Sequence, residues 1–107
     1  MSASHGLTDE TVAQIHAVLA RFPEVEQALL YGSRAKGNYK TGSDVDLTLL
    51  GAGLTTKILG NIQSEFADGT LPYTFDISIL AEITQADLLD HIRRVGTIFY
   101  QKPPLPA

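Results

Sequence analysis

Two aspartates on one predicted strand are the side chains of this sequence best suited to chemistry. Asp44 and Asp46 lie in the stretch 43–50, whose remaining side chains are mostly apolar. Because successive side chains along a strand point to opposite faces, the two carboxylates share one face. Neighbouring carboxylates in such surroundings repel each other and resist burial, and a bound cation removes that penalty. Carboxylate oxygens suit Mg²⁺, so the pattern predicts a magnesium site held by Asp44 and Asp46.

A Gly-Ser turn comes shortly before these acids. Gly32 and Ser33 follow the apolar strand predicted over 25–31. A glycine lets the backbone come close to a ligand, and the N–H groups after it can receive a phosphate. Arg34 is long enough to reach a triphosphate or a leaving pyrophosphate, and a solvated surface charge is the competing interpretation. A phosphate-binding turn beside a carboxylate metal site is the apparatus of nucleotidyl transfer.

A third acid lies on another predicted strand. Asp76 is within the stretch 74–80, where Phe75, Ile77 and Ile79 alternate with polar residues. Aspartate is disfavoured inside strands, so its presence there asks for some compensation. The plain interpretation is a solvent-facing residue on a half-exposed sheet. If this strand lies beside the one that carries the first two acids, three carboxylates converge.

The spacing of these groups resembles the signature of the polymerase-β-type nucleotidyltransferase superfamily. Tyr31-Gly32-Ser33 is followed, after ten residues, by Asp44-Val45-Asp46-Leu47. The sequence is most similar to the minimal nucleotidyltransferase (MNT) family, antitoxin-like proteins paired with a separate small helical partner of the HEPN type. The signature covers residues 31–47, and the third acid and the chain length extend the likeness. The resemblance implies that Asp44, Asp46 and Asp76 bind metal and that Gly32 and Ser33 hold the terminal phosphates.

The resemblance also implies an activity. It is the Mg²⁺-dependent transfer of a nucleoside monophosphate, AMP from ATP, to a hydroxyl of the helical partner, with two Mg²⁺ ions expected and Asp76 as a third ligand or as the base. Two other interpretations stay open at this point. One is nucleotidyl transfer to a small hydroxylated molecule such as an aminoglycoside. The other is a non-catalytic nucleotide-binding module that occludes its partner.

Composition limits the alternatives. The 107 residues, 44% of them hydrophobic and 19% charged, predict one domain over 1–107, with flexible tails at 1–6 and 101–107. There is no cysteine, which excludes disulfides and thiol chemistry and agrees with a cytoplasmic protein. No apolar run approaches a membrane span, and no leader is expected. The net charge of −4 argues against direct nucleic-acid binding.

Periodicity predicts the elements that must position these residues. Helical patterns follow Thr8 and run to Phe22, cover 54–66, and start again with Thr84 as the N-cap. A short helix is expected over 33–36, a loop over 37–42, strands over 25–31, 43–50 and 74–80, and an edge strand or docking surface over 97–100. His16 and His91 are expected to face water. The fold class expected is α+β, with a small mixed sheet that carries the site and helices packed on one face, as in the palm-like core that the resemblance implies.

Overall fold

The computed structural model describes residues 6–37 and 44–103, and the predicted helices and strands are present in these ranges. Their bounds, in chain order, are α1 Asp9–Ala20, β1 Gln27–Tyr31, α2 Gly32–Lys36, β2 Val45–Leu50, α3 Thr56–Asp68, β3 Phe75–Ile79, a 3₁₀ turn Leu80–Glu82, α4 Ala86–Val95 and β4 Thr97–Gln101. Most of the loop expected over 37–42, and the expected strand start at Ser43, lie outside the described residues. No helix within the described ranges is long and apolar enough to cross a membrane.

The sheet is mixed and has the strand order β3-β2-β1-β4. Strand β1 runs antiparallel to both β2 and β4, whereas β2 and β3 are parallel. The predicted edge strand is therefore β4, which pairs with β1. These features confirm the expected α+β class with a small mixed sheet.

The main core lies between one face of the sheet and the helices α1 and α3. Alternation along β1 and β2 points Leu30 and Leu47 to this face, where both are fully buried. The buried apolar side chains of this core are Leu7, Ile15, Leu19, Val25, Ala28, Leu30, Val45, Leu47, Leu49, Ile62, Phe66, Ile77 and Tyr100. The core fixes which side chains of β2 and β3 must point the other way.

Helix α4 packs on the opposite face, so the expectation of helices on one face holds for α1 and α3 but not for α4. Leu29 of β1 lines an apolar pocket together with Leu89 and Ile92 of α4. The rings of Tyr31 and His91 also meet edge to face, with centroids 6.1 Å apart. Apolar side chains on both faces of β1 account for this arrangement, because each face needs a cover.

The helix starts differ in how they are capped. Thr8 accepts a hydrogen bond from the Thr11 N–H at 3.1 Å, as predicted for the start of α1. Thr55 caps α3 in the same way, through the Ile58 N–H. The prediction of Thr84 as the cap of α4 is wrong, because the N-cap position is Gln85 and its side chain makes no capping bond.

The sheet continues further toward the C-terminus than the predicted tail allowed. Gln101 belongs to β4 and pairs with Gln27 of β1. The Lys102 N–H then donates to the Glu26 carbonyl at 2.8 Å, and the Lys102 ammonium donates to the Pro23 carbonyl. Residues 101 and 102 are therefore not part of a flexible tail, and residues 104–107 lie outside the described part of the chain.

Candidate active site

The face of β2 and β3 that points away from the main core is polar. Asp46 of β2 lies opposite Asp76 of β3 in the parallel ladder, and Thr48 lies opposite Ser78 two residues further on. The Ser78 hydroxyl donates to Thr48 Oγ1 at 3.0 Å. The strand that carries Asp76 thus lies beside β2, as the convergence of the acids requires.

The Asp46 carboxyl group is harder to ionise than an ordinary aspartate. The pKa of Asp46 is raised to about 6, first by burial and then by the negative charges of Asp76 and Asp44, while the Arg34 cation lowers it. Asp44 lies just before β2 and is exposed, as is Asp76. Within the part of the chain that the structure describes, the charge of Arg34 offsets the rise in the pKa of Asp46 only in part.

The acids fit Mg²⁺ by their chemistry. Their donors are carboxylate oxygens, and the charged form of Asp46 is disfavoured in a way that a cation would relieve. Within residues 6–37 and 44–103, no three histidine, cysteine or acidic side chains form a group that could hold a metal ion. Mg²⁺ commonly binds through one or two carboxylates, with water and substrate phosphates as its other ligands. Asp46 and Asp76 suit this open kind of site better than a closed protein cage.

The Gly-Ser turn lies directly against Asp46. Tyr31, the last residue of β1, pairs with Asp46, and Gly32 then turns the chain into α2 with a φ of +76°. A Cβ placed on Gly32 would lie 2.2 Å from Asp46 Oδ2. Only glycine permits both this backbone conformation and this approach. The turn and the carboxylate are therefore one packed unit.

The amide of Gly32 has a partner that was not foreseen. Its N–H donates to His91 Nε2 of α4 at 3.0 Å. His91 therefore does not simply face water, and the Gly32 N–H expected to hold a phosphate is already engaged. Position 91 lies three residues after Leu88 and four before Val95, both partly buried, and that helical spacing is the signal that could have revealed it. Ser33 stays partly exposed in the first turn of α2.

Arg34 is buried, so the interpretation as a solvated charge is wrong. Only 3% of its surface is exposed, and its guanidinium carbon lies 5.2 Å from the centre of the Tyr73 ring. Its charge also lowers the pKa of Asp46. Arg34 therefore acts on the acids from within the fold, and its contact with a nucleotide stays a prediction.

Tyr31 lies beside Asp46 and Asp76, and its side chain is uncharged near neutral pH. The residue is 7% exposed, and burial raises the pKa of its phenol. A side-chain hydrogen bond with Ser78 lowers that pKa, while Asp76 and Asp46 raise it. The phenol consequently keeps its proton near neutral pH and does not add a negative charge to the site.

The family of the chain follows from comparison with known proteins. A family model described as polymerase beta, nucleotidyltransferase matches residues 13–104. The chain therefore belongs to the polymerase β nucleotidyltransferase family, which confirms the resemblance seen in the sequence. Among curated proteins, none matches the chain.

Several solved structures of similar fold are toxin–antitoxin complexes. One, a toxin–antitoxin with AMP-PNP, has a TM-score of 0.69 at 20% identity, over 85% of this chain and 73% of that chain. The MntA–HepT complex has a TM-score of 0.62 at 18% identity, over 85% and 70%. The tri-AMPylated Shewanella oneidensis HEPN toxin in complex with its MNT antitoxin gives the same values. At these identities the likeness establishes a shared fold.

Proposed function

We propose that this protein is a Mg²⁺-dependent nucleotidyltransferase that moves AMP from ATP to a hydroxyl of a cognate helical partner protein. In this reaction the acceptor oxygen bonds to the α-phosphorus, the bond to the bridging oxygen breaks, and pyrophosphate leaves. The observation that carries the proposal is the position of Asp46, which lies opposite Asp76 in the ladder of β2 and β3 and directly against the Gly32 turn. Family membership supports the reaction class.

Each acid has a proposed role that its position supports. Asp44, Asp46 and Asp76 hold Mg²⁺, which when bound neutralises charge and aligns the attacking and leaving oxygens. Asp76 is exposed at the edge strand β3, so it can take the proton of a hydroxyl that arrives from another chain. The buried Arg34 limits the repulsion among the acids. The Ser33 hydroxyl binds the terminal phosphates.

The proposed acceptor is a protein, by analogy with proteins of the same fold. One such structure holds a HEPN toxin that carries AMP together with its MNT antitoxin, and another holds AMP-PNP. A cognate helical partner of the HEPN type is thus the acceptor to test first. The net charge of −4 agrees with a partner other than a nucleic acid.

The test needs a candidate acceptor, and a short all-helical protein is to be sought in the genes that neighbour this one. The two purified proteins are mixed with Mg²⁺ and ATP labelled at the α-phosphate. The products are then separated, the label on each protein is measured, and their masses are determined by mass spectrometry. The proposal is supported if the partner gains the label and the mass of AMP. In a parallel reaction with ATP labelled at the γ-phosphate, the partner must remain unlabelled, because that phosphate leaves with pyrophosphate. Asp46→Asn and Asp76→Asn should abolish the transfer, whereas Asp87→Asn, the same charge change on the exposed surface of α4, should not.

Two outcomes contradict the proposal. Label on an added aminoglycoside but never on the partner would assign a small-molecule acceptor instead. ATP binding in the presence of the partner, without any transfer, would assign a non-catalytic module that occludes it.

A further inference from the structure

The start of α2 is capped by a residue from a distant element. The Gly32 N–H is the first amide of this helix and has no acceptor within it. The residue at the N-cap position, Tyr31, makes no side-chain capping bond. Instead His91, 59 residues further along the chain, accepts this amide on Nε2 at 3.0 Å. The cap of the turn therefore depends on the packing of α4 against α2.

The ring of His91 is held in place as an acceptor. It is partly buried and meets the Tyr31 ring edge to face at an interplanar angle of 79°. Since Nε2 accepts the Gly32 amide, that nitrogen carries no proton and the neutral ring bears its proton on Nδ1. His91 thus contacts both residues of the peptide that leads from β1 into the turn.

The peptide between Tyr31 and Gly32 sets the distance from the turn to the acids. On one side Tyr31 pairs with Asp46 in the sheet, and on the other the Gly32 Cα faces Asp46 Oδ2. Glycine imposes little restriction on its own dihedrals, so something else must hold this peptide. The hydrogen bond to His91 does so.

We infer that His91 is a positioning residue for the proposed transfer, because its bond to the Gly32 amide holds the turn against Asp46 and thereby restricts the position of a carboxylate that would bind the metal. This inference rests on the proposed function for its catalytic consequence, but the bond and its effect on metal binding can be measured separately. Groups that bond directly to a metal ligand commonly change affinity or activity by about 10- to 100-fold when removed, and His91 acts on Asp46 one contact further away, through Gly32, so we expect the lower end of that range.

The test compares two substitutions at one site with a control elsewhere. His91→Phe keeps the ring against Tyr31 but removes the acceptor, and His91→Gln restores an acceptor oxygen at similar reach. The matched control is His16→Phe, because His16 is also a partly buried histidine whose Nε2 contacts a backbone atom, the Phe99 carbonyl, far from the acids. Hydrogen exchange at the Gly32 amide, Mn²⁺ affinity and transfer kinetics are then measured for each protein.

The expected pattern is specific to positioning. In His91→Phe, exchange at the Gly32 amide accelerates, Mn²⁺ binds about tenfold more weakly, and kcat falls by about tenfold or more with a smaller change in KM for ATP. His91→Gln recovers most of each loss, and His16→Phe changes none of them even if its Tm falls. A His91→Phe protein with a lower Tm but unchanged Mn²⁺ affinity and kcat would show a merely structural histidine and overturn the inference.

Failure of the role inferred for His91 and failure of the proposed function would give different experimental results. If the wild-type protein transfers no AMP, the proposed reaction fails. The amide exchange and the Mn²⁺ affinities still decide the role of His91 in that case. Unchanged exchange at Gly32 in His91→Phe would overturn the inference even in an active enzyme.

Discussion

Gly32 has a left-handed backbone conformation and also lies in contact with the Asp46 carboxylate. Gly32→Ala adds a Cβ in a left-handed conformation, which costs about 1–2 kcal/mol of folding stability. The same Cβ would lie 2.2 Å from Asp46 Oδ2 and must displace that carboxylate. Because a misplacement of about 1 Å at a reacting centre can cost about 100-fold, we expect transfer to fall by at least that factor. Urea denaturation and the AMP-transfer assay measure the two effects.

Gly37 provides the control for that substitution. It ends α2 with a φ of +88°, and a Cβ there would meet no atom of the described residues within 4 Å. Gly37→Ala should therefore show the backbone penalty of about 1–2 kcal/mol but keep most of its activity. Equal loss of transfer in both variants would contradict a specific clash with Asp46.

Asp46 should make the metal-free protein less stable at neutral pH. Its pKa in the folded protein is about 6, above the ordinary value of 3.8, so the folded state binds the proton more tightly than the unfolded state. The stability that the protonated Asp46 side chain contributes is therefore lost as pH rises from about 4 to about 6. Asp46→Asn should unfold at higher urea than wild type at pH 7 in EDTA, and the two should converge below about pH 4.

Asp90 supplies a control of opposite sign. Its hydrogen bond and ion pair with Arg94 lower the pKa of Asp90, so its stabilising contribution is present near neutral pH and lost as pH falls. Asp90→Asn should therefore be slightly less stable than wild type at pH 7. If Asp46→Asn and Asp90→Asn shift the urea midpoint in the same direction at pH 7, the account given for Asp46 is wrong.

At the scale of single elements, the helix starts allow a paired comparison. Thr55 accepts the Ile58 N–H at 3.2 Å, so Thr55→Ala should lower the free energy of unfolding by about 1 kcal/mol. Thr84 precedes the N-cap position of α4, so Thr84→Ala should change it by only a few tenths of a kcal/mol. Urea denaturation of both variants checks the difference. A loss at Thr84 as large as that at Thr55 would mean that Thr84 does cap α4.

The elements themselves were predictable because their patterns are local. Apolar side chains alternate at Val45, Leu47 and Leu49, which marks a strand and at the same time assigns Asp46 to its other face. The same logic applies to Asp76 between Phe75 and Ile77. What such patterns omit is the neighbour of each strand. From the sequence, the adjacency of β2 and β3 was only a condition for the acids to converge, and their parallel direction was not predicted.

The parts of the site that sequence reasoning missed depend on distant contacts. His91 meets Gly32 across 59 residues, and nothing within α4 says which face of the sheet that helix covers. Arg34 stands in a short polar segment, so its burial against Tyr73 has no local signal either. Glycine at position 32 was expected to let the backbone approach a ligand. The group that lies against it in the structure is the Asp46 carboxylate of the same chain.

In the molecule as a whole, the order and direction of the strands explain how the parts of the candidate site come together. The C-terminal end of β1 pairs with the start of β2 because the two strands are antiparallel, which brings the Gly32 turn to Asp46. Strand β3 runs parallel to β2, so its own start, with Asp76, lies at the same end. Three separated segments thus meet at one end of the sheet. Helix α4 reaches this end from the second face through His91.

Because the acids and the turn belong to different strands, a ligand that bridges them should stabilise the whole fold. We expect Mg²⁺ with ATP to raise the free energy of unfolding by about 2.7 kcal/mol when free ligand is 100 times its Kd. ATP in EDTA should have a much smaller effect, since the acids then repel the phosphates. Asp46→Asn should lose the stabilisation, and Asp87→Asn, an equal charge change on the exposed surface of α4, should keep it. Urea midpoints with and without Mg²⁺ measure this, and an equal shift by ATP in EDTA would place the nucleotide away from the acids.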